Sequence, residues 1–255
     1  FIIQFGDSIT SEKIVEALRQ RPWLKDRPIH SKVYAWGQLI LQESPGVGYA
    51  PCVDMSSLVG CVGRPRFLND NKLSKDFCLS LAKQWSDSID AKGLLNSLTG
   101  MFSLVKVSAQ KISILTDHMG AQPVYCAHSA NGKLVGIGTD VEALAILSDR
   151  QQDFDPISLG ELLVHNNVSF PFTSRNGITE FNPASIINIS FNDLAPIIDE
   201  TVLLTPDEPD SPEKGLVDEL VERMRAAGSD IAQSVDSIGV TLSGGLDSRA
   251  VLAVL

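Results

Sequence analysis

Apolar residues along most of this chain come in short runs that alternate with polar ones or stay apolar for five or six positions. The runs "FIIQF" (1–5), "KVYAW" (32–36), "QLILQ" (38–42), "SLVGCV" (57–62), "FSLVKV" (102–107), "KISIL" (111–115), "PVYCA" (123–127) and "KLVGIG" (133–138) read as β-strands. Three stretches instead space apolar residues three and four apart and read as helices: 11–19, 75–88, with Phe77, Leu81 and Trp85 in register, and 140–147. "VSAQK" and "HSANGK" read as hairpin connections, the second because Asn131-Gly132 supplies the positive φ of a tight turn. Many strands with segregated helices predict α+β layers.

Two more strand-like runs, "SIINISF" (185–191) and "PIIDETVLL" (196–204), close this first region. Polar, Pro-rich "TPDEPDSPEKG" (205–215) then reads as a linker. Beyond it Leu216, Leu220, Met224 and Ala227 form one stripe of a helix over 216–234, followed by an apolar strand "SIGVTL", a turn "SGGLDS" and a helix start "SRAVLAVL". The domains predicted are therefore 1–204 and 216–255, the second opening as a parallel α/β sheet opens. One strand and part of a helix cannot bury their own faces, so the second domain is expected to continue past Leu255.

Charge narrows the partners. The 255 residues include 31 Asp and Glu against 21 Lys and Arg, a net charge of −10, which argues against nucleic acid as a partner. No apolar run reaches the roughly 18 residues of a membrane span and the start lacks a signal-peptide layout, so a cytoplasmic protein with no membrane partner is expected. Cys52, Cys61, Cys78 and Cys126 form no Cys-x-x-Cys pair and have no matching His cluster, which reads as reduced, mostly buried thiols and no metal site.

The turn "LSGGLDS" carries the chemistry. Glycines after a strand let backbone N–H groups converge on one point, and the helix N-terminus adds about half a positive charge, which suits an anion. The spacing is not that of the Gly-x-x-x-x-Gly-Lys-Ser/Thr loop, and its lysine is absent. Asp247 would repel a phosphate unless a cation stood between, so it is a candidate Mg²⁺ ligand. Capping of the helix by Asp247 and Ser248 is the simpler alternative.

"SGGLDS" after an apolar strand resembles the signature of the PP-loop ATP pyrophosphatases. The resemblance extends upstream: "GMFSLV" (100–105), "TDHMGAQPVYCA" (116–127) and "GTDVEALA" (138–145) follow the order and spacing of asparagine-synthetase segments of the types G-M/V-F-A-F, RDRFGIKPLYY and FASEIKAL. The chain thus resembles the asparagine synthetase superfamily, with its β-lactam synthetases and lasso-peptide cyclases. That implies an N-terminal-nucleophile sandwich (αββα) of the class II glutamine amidotransferase kind, followed by the start of an α/β PP-loop ATP pyrophosphatase domain. It implies ATP and Mg²⁺ as cofactors, with Leu242, Ser243, Gly244, Gly245, Leu246, Asp247 and Ser248 holding the pyrophosphate portion and Asp247 the metal.

Three positions depart from the family's glutaminase pattern. Phe1 lies on or beside the place of the N-terminal cysteine, and an aromatic carbon cannot attack an amide. Val62 falls where the family has the oxyanion-hole Asn, a donor whose loss costs about 10² to 10³ in rate, with Gly63 retained. Thr99 replaces the carboxylate that the family sets on the glutamine amino group. The resemblance then implies an ATP-dependent amide-forming ligase that adenylates a carboxylate on a small molecule or peptide and is attacked by an amine, intramolecularly, without glutamine hydrolysis. The alternatives are a glutamine- or ammonia-dependent asparagine-synthetase-like amidotransferase and a non-catalytic nucleotide-binding regulator. No catalytic residue is assigned, the catalytic part being expected largely beyond Leu255; self-assembly and a biosynthetic partner protein both stay open.

Overall fold

The structure is a computed structural model. It describes residues 1–6, 11–19, 27–43, 49–54, 57–68, 70, 76–85, 90–204, 213–234 and 237–255. The elements begin β1 (Ile2–Phe5), α1 (Ser11–Arg19), β2 (Ile29–Tyr34), β3 (Gly37–Gln42), β4 (Cys52–Val53), β5 (Ser57–Gly63), β6 (Arg66–Phe67), α2 (Phe77–Gln84), α3 (Ala91–Asn96) and β7 (Leu98–Thr99). They continue β8 (Phe102–Ser108), β9 (Lys111–Thr116), β10 (Tyr125–His128), β11 (Leu134–Gly138), α4 (Val141–Leu147), α5 (Pro156–His165) and β12 (Ile178–Glu180). Last come β13 (Ser185–Asn192), β14 (Ala195–Val202), α6 (Glu213–Ser234) and α7 (Leu246–Val254). The chain divides into two compact units, Phe1–Pro65 with Lys75–Leu204, and Arg66–Ser74 with Thr205–Leu255. Most of the predicted linker, 205–212, lies outside the described residues.

Two six-stranded antiparallel sheets make the first unit, in the orders β12-β10-β11-β1-β3-β2 and β14-β13-β9-β8-β5-β4. Strand alternation decides which residues meet between them. Phe1, Ile3, Phe5, Leu39 and Leu41 of the first sheet face Val105, Val107, Ile112, Ile114, Ile187 and Ile189 of the second in one core. The intervening Ile2 and Ile40 point the other way, onto Ile14 and Leu18 of α1 and Ala143 and Leu144 of α4. Helix α2 packs on the opposite outer face, against β5. The layers are thus helix, sheet, sheet, helix. Each Leu or Ile buried in this way contributes about 1.5–3 kcal/mol, which is why the two sheets and not the polar turns carry the fold.

The expected hairpins form. Ser108 Oγ accepts from the backbone N–H groups of Gln110 (3.3 Å) and Lys111 (3.0 Å) between β8 and β9. Gly132 takes φ +78° between β10 and β11, with Lys133 N donating to Asn131 Oδ1 at 3.3 Å. Helix α4 starts where Asp140 accepts from Ala143 N at 2.9 Å. Two boundaries move: β2 runs Ile29–Tyr34, so Trp36 belongs to the turn before β3, and the helix expected over 75–88 is described as Phe77–Gln84.

Arg175 ties α4 to the segment ahead of β12. Its Nη2 and Nε donate to the two carboxylate oxygens of Glu142 at 2.6 and 3.3 Å, its Nη1 donates to the Gln151 carbonyl, and its guanidinium lies 3.8 Å from the centre of the Phe154 ring. Glu142 is well exposed, so the ion pair itself adds little; the buried stem, the carbonyl bond and the ring contact add more. Arg175→Ala is expected to lower unfolding free energy by about 2 kcal/mol in urea titration. Arg175→Lys should recover less than half, because an ammonium cannot bridge both oxygens and stack.

In the second unit α6 carries ion pairs Arg223–Glu219 (2.6 Å) and Arg225–Glu222 (2.8 Å). Exposed pairs of this kind stabilise a helix by only about 0.3–0.5 kcal/mol each. The stripe expected to face a core stays open, with Leu216 36 % and Leu220 59 % exposed. The strand expected over "SIGVTL" is not one: residues 237–243 join no sheet. A strand exists only through a ladder partner, and none lies beside this run among the described residues. No helix among the described residues is long and apolar enough to cross a membrane.

Candidate functional site

A cavity of ≈ 170 Å³ opens where β1 begins, lined by residues that include Phe1, Val62, Gln122, Thr139, Asp140 and Glu43. Six separate stretches of the described residues build it, Leu18 of α1 among them. Phe1 enters from the start of β1, Glu43 from the end of β3 and Val62 from β5; Thr139 and Asp140 follow β11, and Gln122 comes from the turn after β9. The register of the first sheet fixes one wall: Phe1 N donates to Thr139 Oγ1 at 2.9 Å and Thr139 N donates to the Phe1 carbonyl at 3.0 Å. Glu43 Oε1 is held by His30 Nε2 at 2.9 Å.

Asp117 builds the Gln122 wall. Its carboxylate accepts from the backbone N–H groups of Met119 (2.9 Å), Ala121 (3.0 Å), Gln122 (2.9 Å) and Phe102 (3.1 Å), so one buried side chain winds the whole turn and pins it to β8. Sequence reasoning did not single it out. The signal available was an Asp three residues before Gly120, at the head of the run "DHMGAQ".

Phe1 and Val62 meet at this cavity. The Phe1 ring is 6 % exposed and belongs to the core between the sheets, and Val62 packs its methyl groups against the same core. Thr99 is half-buried on β7 and is not among the residues lining the cavity. Gly63 sits at φ +92° against the carbonyl of Met101, while Arg64 N donates to that carbonyl at 2.8 Å. The wall next to Val62 is thus a backbone crossing that only a glycine fits.

Among the described residues no thiol lines the cavity. Cys61 turns to the other face of β5, its Sγ 3.7 Å from that of Cys78 on α2. The contact with Cys78 and burial hold the Cys61 thiol well above its ordinary value, so it stays protonated at neutral pH. Burial also raises Cys126. Among the described residues no cluster of His, Cys, Asp and Glu could hold a metal. His118 is exposed beside Asp117.

The second candidate is the Gly-rich loop. Leu242 and Leu246 are 56 % and 76 % exposed, Gly244 takes φ +82°, and Gly245 caps α7 without a side-chain bond. Ser243 and Ser248 close on each other, Oγ to Oγ, at 3.3 Å, and Ser243 N donates to Ser248 Oγ at 3.4 Å. Asp247 stands exposed in the first turn of α7. Open space surrounds the site of a Cβ on Gly244, and the first-turn N–H groups keep no side-chain cap, an arrangement with room for an anion.

Residues 81–197 match the family model described as glutamine amidotransferase domain. No curated protein matches the chain. Among solved structures, glutamine phosphoribosylpyrophosphate amidotransferase from B. subtilis complexed with ADP and GMP is 11% identical, with 79% of this chain and 44% of that one covered and a TM-score of 0.34. A second, described as the allosteric regulatory enzyme of purine biosynthesis, is 12% identical, with 81% and 46% covered and a TM-score of 0.34. The chain spans under half the length of either.

Proposed function

Proceeding from the glutamine amidotransferase-like character of residues 81–197, we propose that this chain belongs to an amide-forming enzyme of the asparagine-synthetase kind. The observation that carries the reading is the family match lying within a two-sheet sandwich that has a cavity at the head of β1. In this reading Leu242, Ser243, Gly244, Gly245, Leu246, Asp247 and Ser248 would hold the pyrophosphate portion of ATP, and Asp247 would hold Mg²⁺, which would neutralise the charge of the pyrophosphate. ATP would supply the activation of a carboxylate as an acyl-adenylate. The chain's own contribution would be the start of α7, which has no side-chain cap, beside the open space at Gly244; it would stabilise negative charge on the departing pyrophosphate.

The lining of the cavity favours one version of this function over the other. An oxyanion needs a donor, and Val62 offers methyl groups where the family's Asn would stand. The phenyl ring of Phe1 is spent on the core. In this reading the nitrogen would come from an amine of the substrate, closing a ring, and not from glutamine. The ordinary glutamine-dependent amidotransferase is the version closest to the family match.

Incubation of the intact protein with ATP, Mg²⁺, glutamine and a panel of carboxylates bearing amines separates the two. Pyrophosphate release that depends on the carboxylate, with no glutamate formed, is the expected result. Glutamate formed in step with amide product would return the glutamine-dependent version. Absence of pyrophosphate release across the panel would leave a nucleotide-binding regulator and remove the ligase.

A further inference from the structure

Helix α5 and the segment after it leave several large apolar side chains exposed, two of which, Ile157 and Phe172, line one groove. Ile157 is 75 % exposed, Leu163 87 % and Val164 75 %, and Phe172 on the segment that follows is 57 % exposed. Exposed apolar residues scattered singly need no explanation, whereas a contiguous patch marks a contact surface. Beside these residues runs a groove of ≈ 410 Å³ whose lining includes Ile157, Phe172, Asp155 and Glu161. Ile157 and Glu161 are one helical turn apart, so an apolar and an anionic side chain stand together on one wall.

The anionic side is built and fixed. Glu161 accepts from Ser169 N at 2.9 Å and Ser169 Oγ at 2.8 Å, and Asp155 accepts from Ser158 Oγ at 2.5 Å. These bonds hold both carboxyls below the usual carboxylate range: the Ser169 backbone N–H is the main cause for Glu161, and the Ser158 hydroxyl for Asp155. Arg175, the cation among the lining residues, is already committed to Glu142 and the Phe154 ring. The groove therefore presents apolar surface in a negative field.

We propose that this groove docks a peptide segment presenting a large apolar side chain next to a lysine or arginine. A second copy of this chain is the poorer occupant, because it would bring a further net charge of −10 toward Asp155 and Glu161. The volume suits on the order of two large side chains and not the face of a folded domain. The inference requires neither glutamine hydrolysis nor ATP, so it stands or fails apart from the reading above.

The test uses the intact protein and a fluorescein-labelled peptide, acetyl-Gly-Lys-Leu-Lys-Phe-Gly-amide, followed by fluorescence anisotropy. A counterpart with glutamate in place of both lysines is the control. The cationic peptide is expected to bind at least about tenfold more tightly than the acidic one, and to weaken as salt rises. Glu161→Gln keeps one acceptor for Ser169 N, while its NH2 can donate to Ser169 Oγ, and should weaken binding about fivefold; Ile157→Ser should weaken it about tenfold, each with an unchanged melting temperature. Equal binding of the two peptides, binding indifferent to both substitutions, or none up to about 1 mM overturns the proposal. A dimer in sedimentation that Ile157→Ser dissolves would also overturn it and assign the face to a second copy.

Discussion

Replacing Asp117 with alanine lowers the unfolding free energy by about 4 kcal/mol, read from urea denaturation. Asp117 is 2 % exposed and its carboxylate accepts four backbone N–H groups. Without it those donors lose their partner, and the cost depends on whether water can replace it. Met119 is 84 % exposed and recovers a water; Phe102, fully buried, does not. A buried orphan donor costs about 1–3 kcal/mol and a bond to a charged group contributes about 1.5–3, which sets the sum. Asp117→Asn recovers only part, because the amide turns one N–H-bearing face toward N–H groups. A loss under about 1 kcal/mol for Asp117→Ala would mean that the turn holds itself. The Gln122 wall of the cavity should loosen with it.

Gly63→Ala is the second large effect, about 3 kcal/mol or more. At φ +92° a Cβ on Gly63 would lie 2.1 Å from the Met101 carbonyl oxygen and 3.0 Å from Phe102 Cα. Both obstacles are backbone, so no rotamer change relieves them. The pairing of Gly63 with Phe102 at the end of β5 and β8 must open. Gly132→Ala is the matched control: its φ is +78°, yet nothing lies within 4 Å of its Cβ position. The strained dihedral alone costs about 1–2 kcal/mol. Thermal melts showing equal losses for the two variants would place the cost in the dihedral and not in the collision.

Strands were legible where both faces are covered. "FSLVKV" and "KISIL" are central in the second sheet, so nearly every position is buried, and the polar turn residues between them stand out. Helix α5 was harder to find by periodicity, since Ile157, Leu163 and Val164 are exposed and the apolar residues follow no single buried face. Three-residue β12 gives too short a pattern to recognise. "SIGVTL" reads as a strand by composition, but composition does not supply a neighbour. The cavity was only half legible: Phe1 and Val62 drew attention through what they lack, whereas Glu43, Gln122, Thr139 and Asp140 converge through sheet order, which no local window contains.

The place of β1 in its sheet has a further consequence, in time and not in space. Ile2 pairs with Ile40 on one side and with Gly138 on the other. During synthesis β1 can therefore gain its first neighbour early, but its second only after the whole of the other sheet's β5, β8 and β9 has been made. Until then the edge of β1 toward β11 is an open ladder, and Phe1, Ile3 and Phe5 wait for half of their core. Closing so distant a pair is slow, and an open apolar edge is where nascent chains go astray. The early life of this protein thus depends on how long one short strand can be kept from the wrong partner.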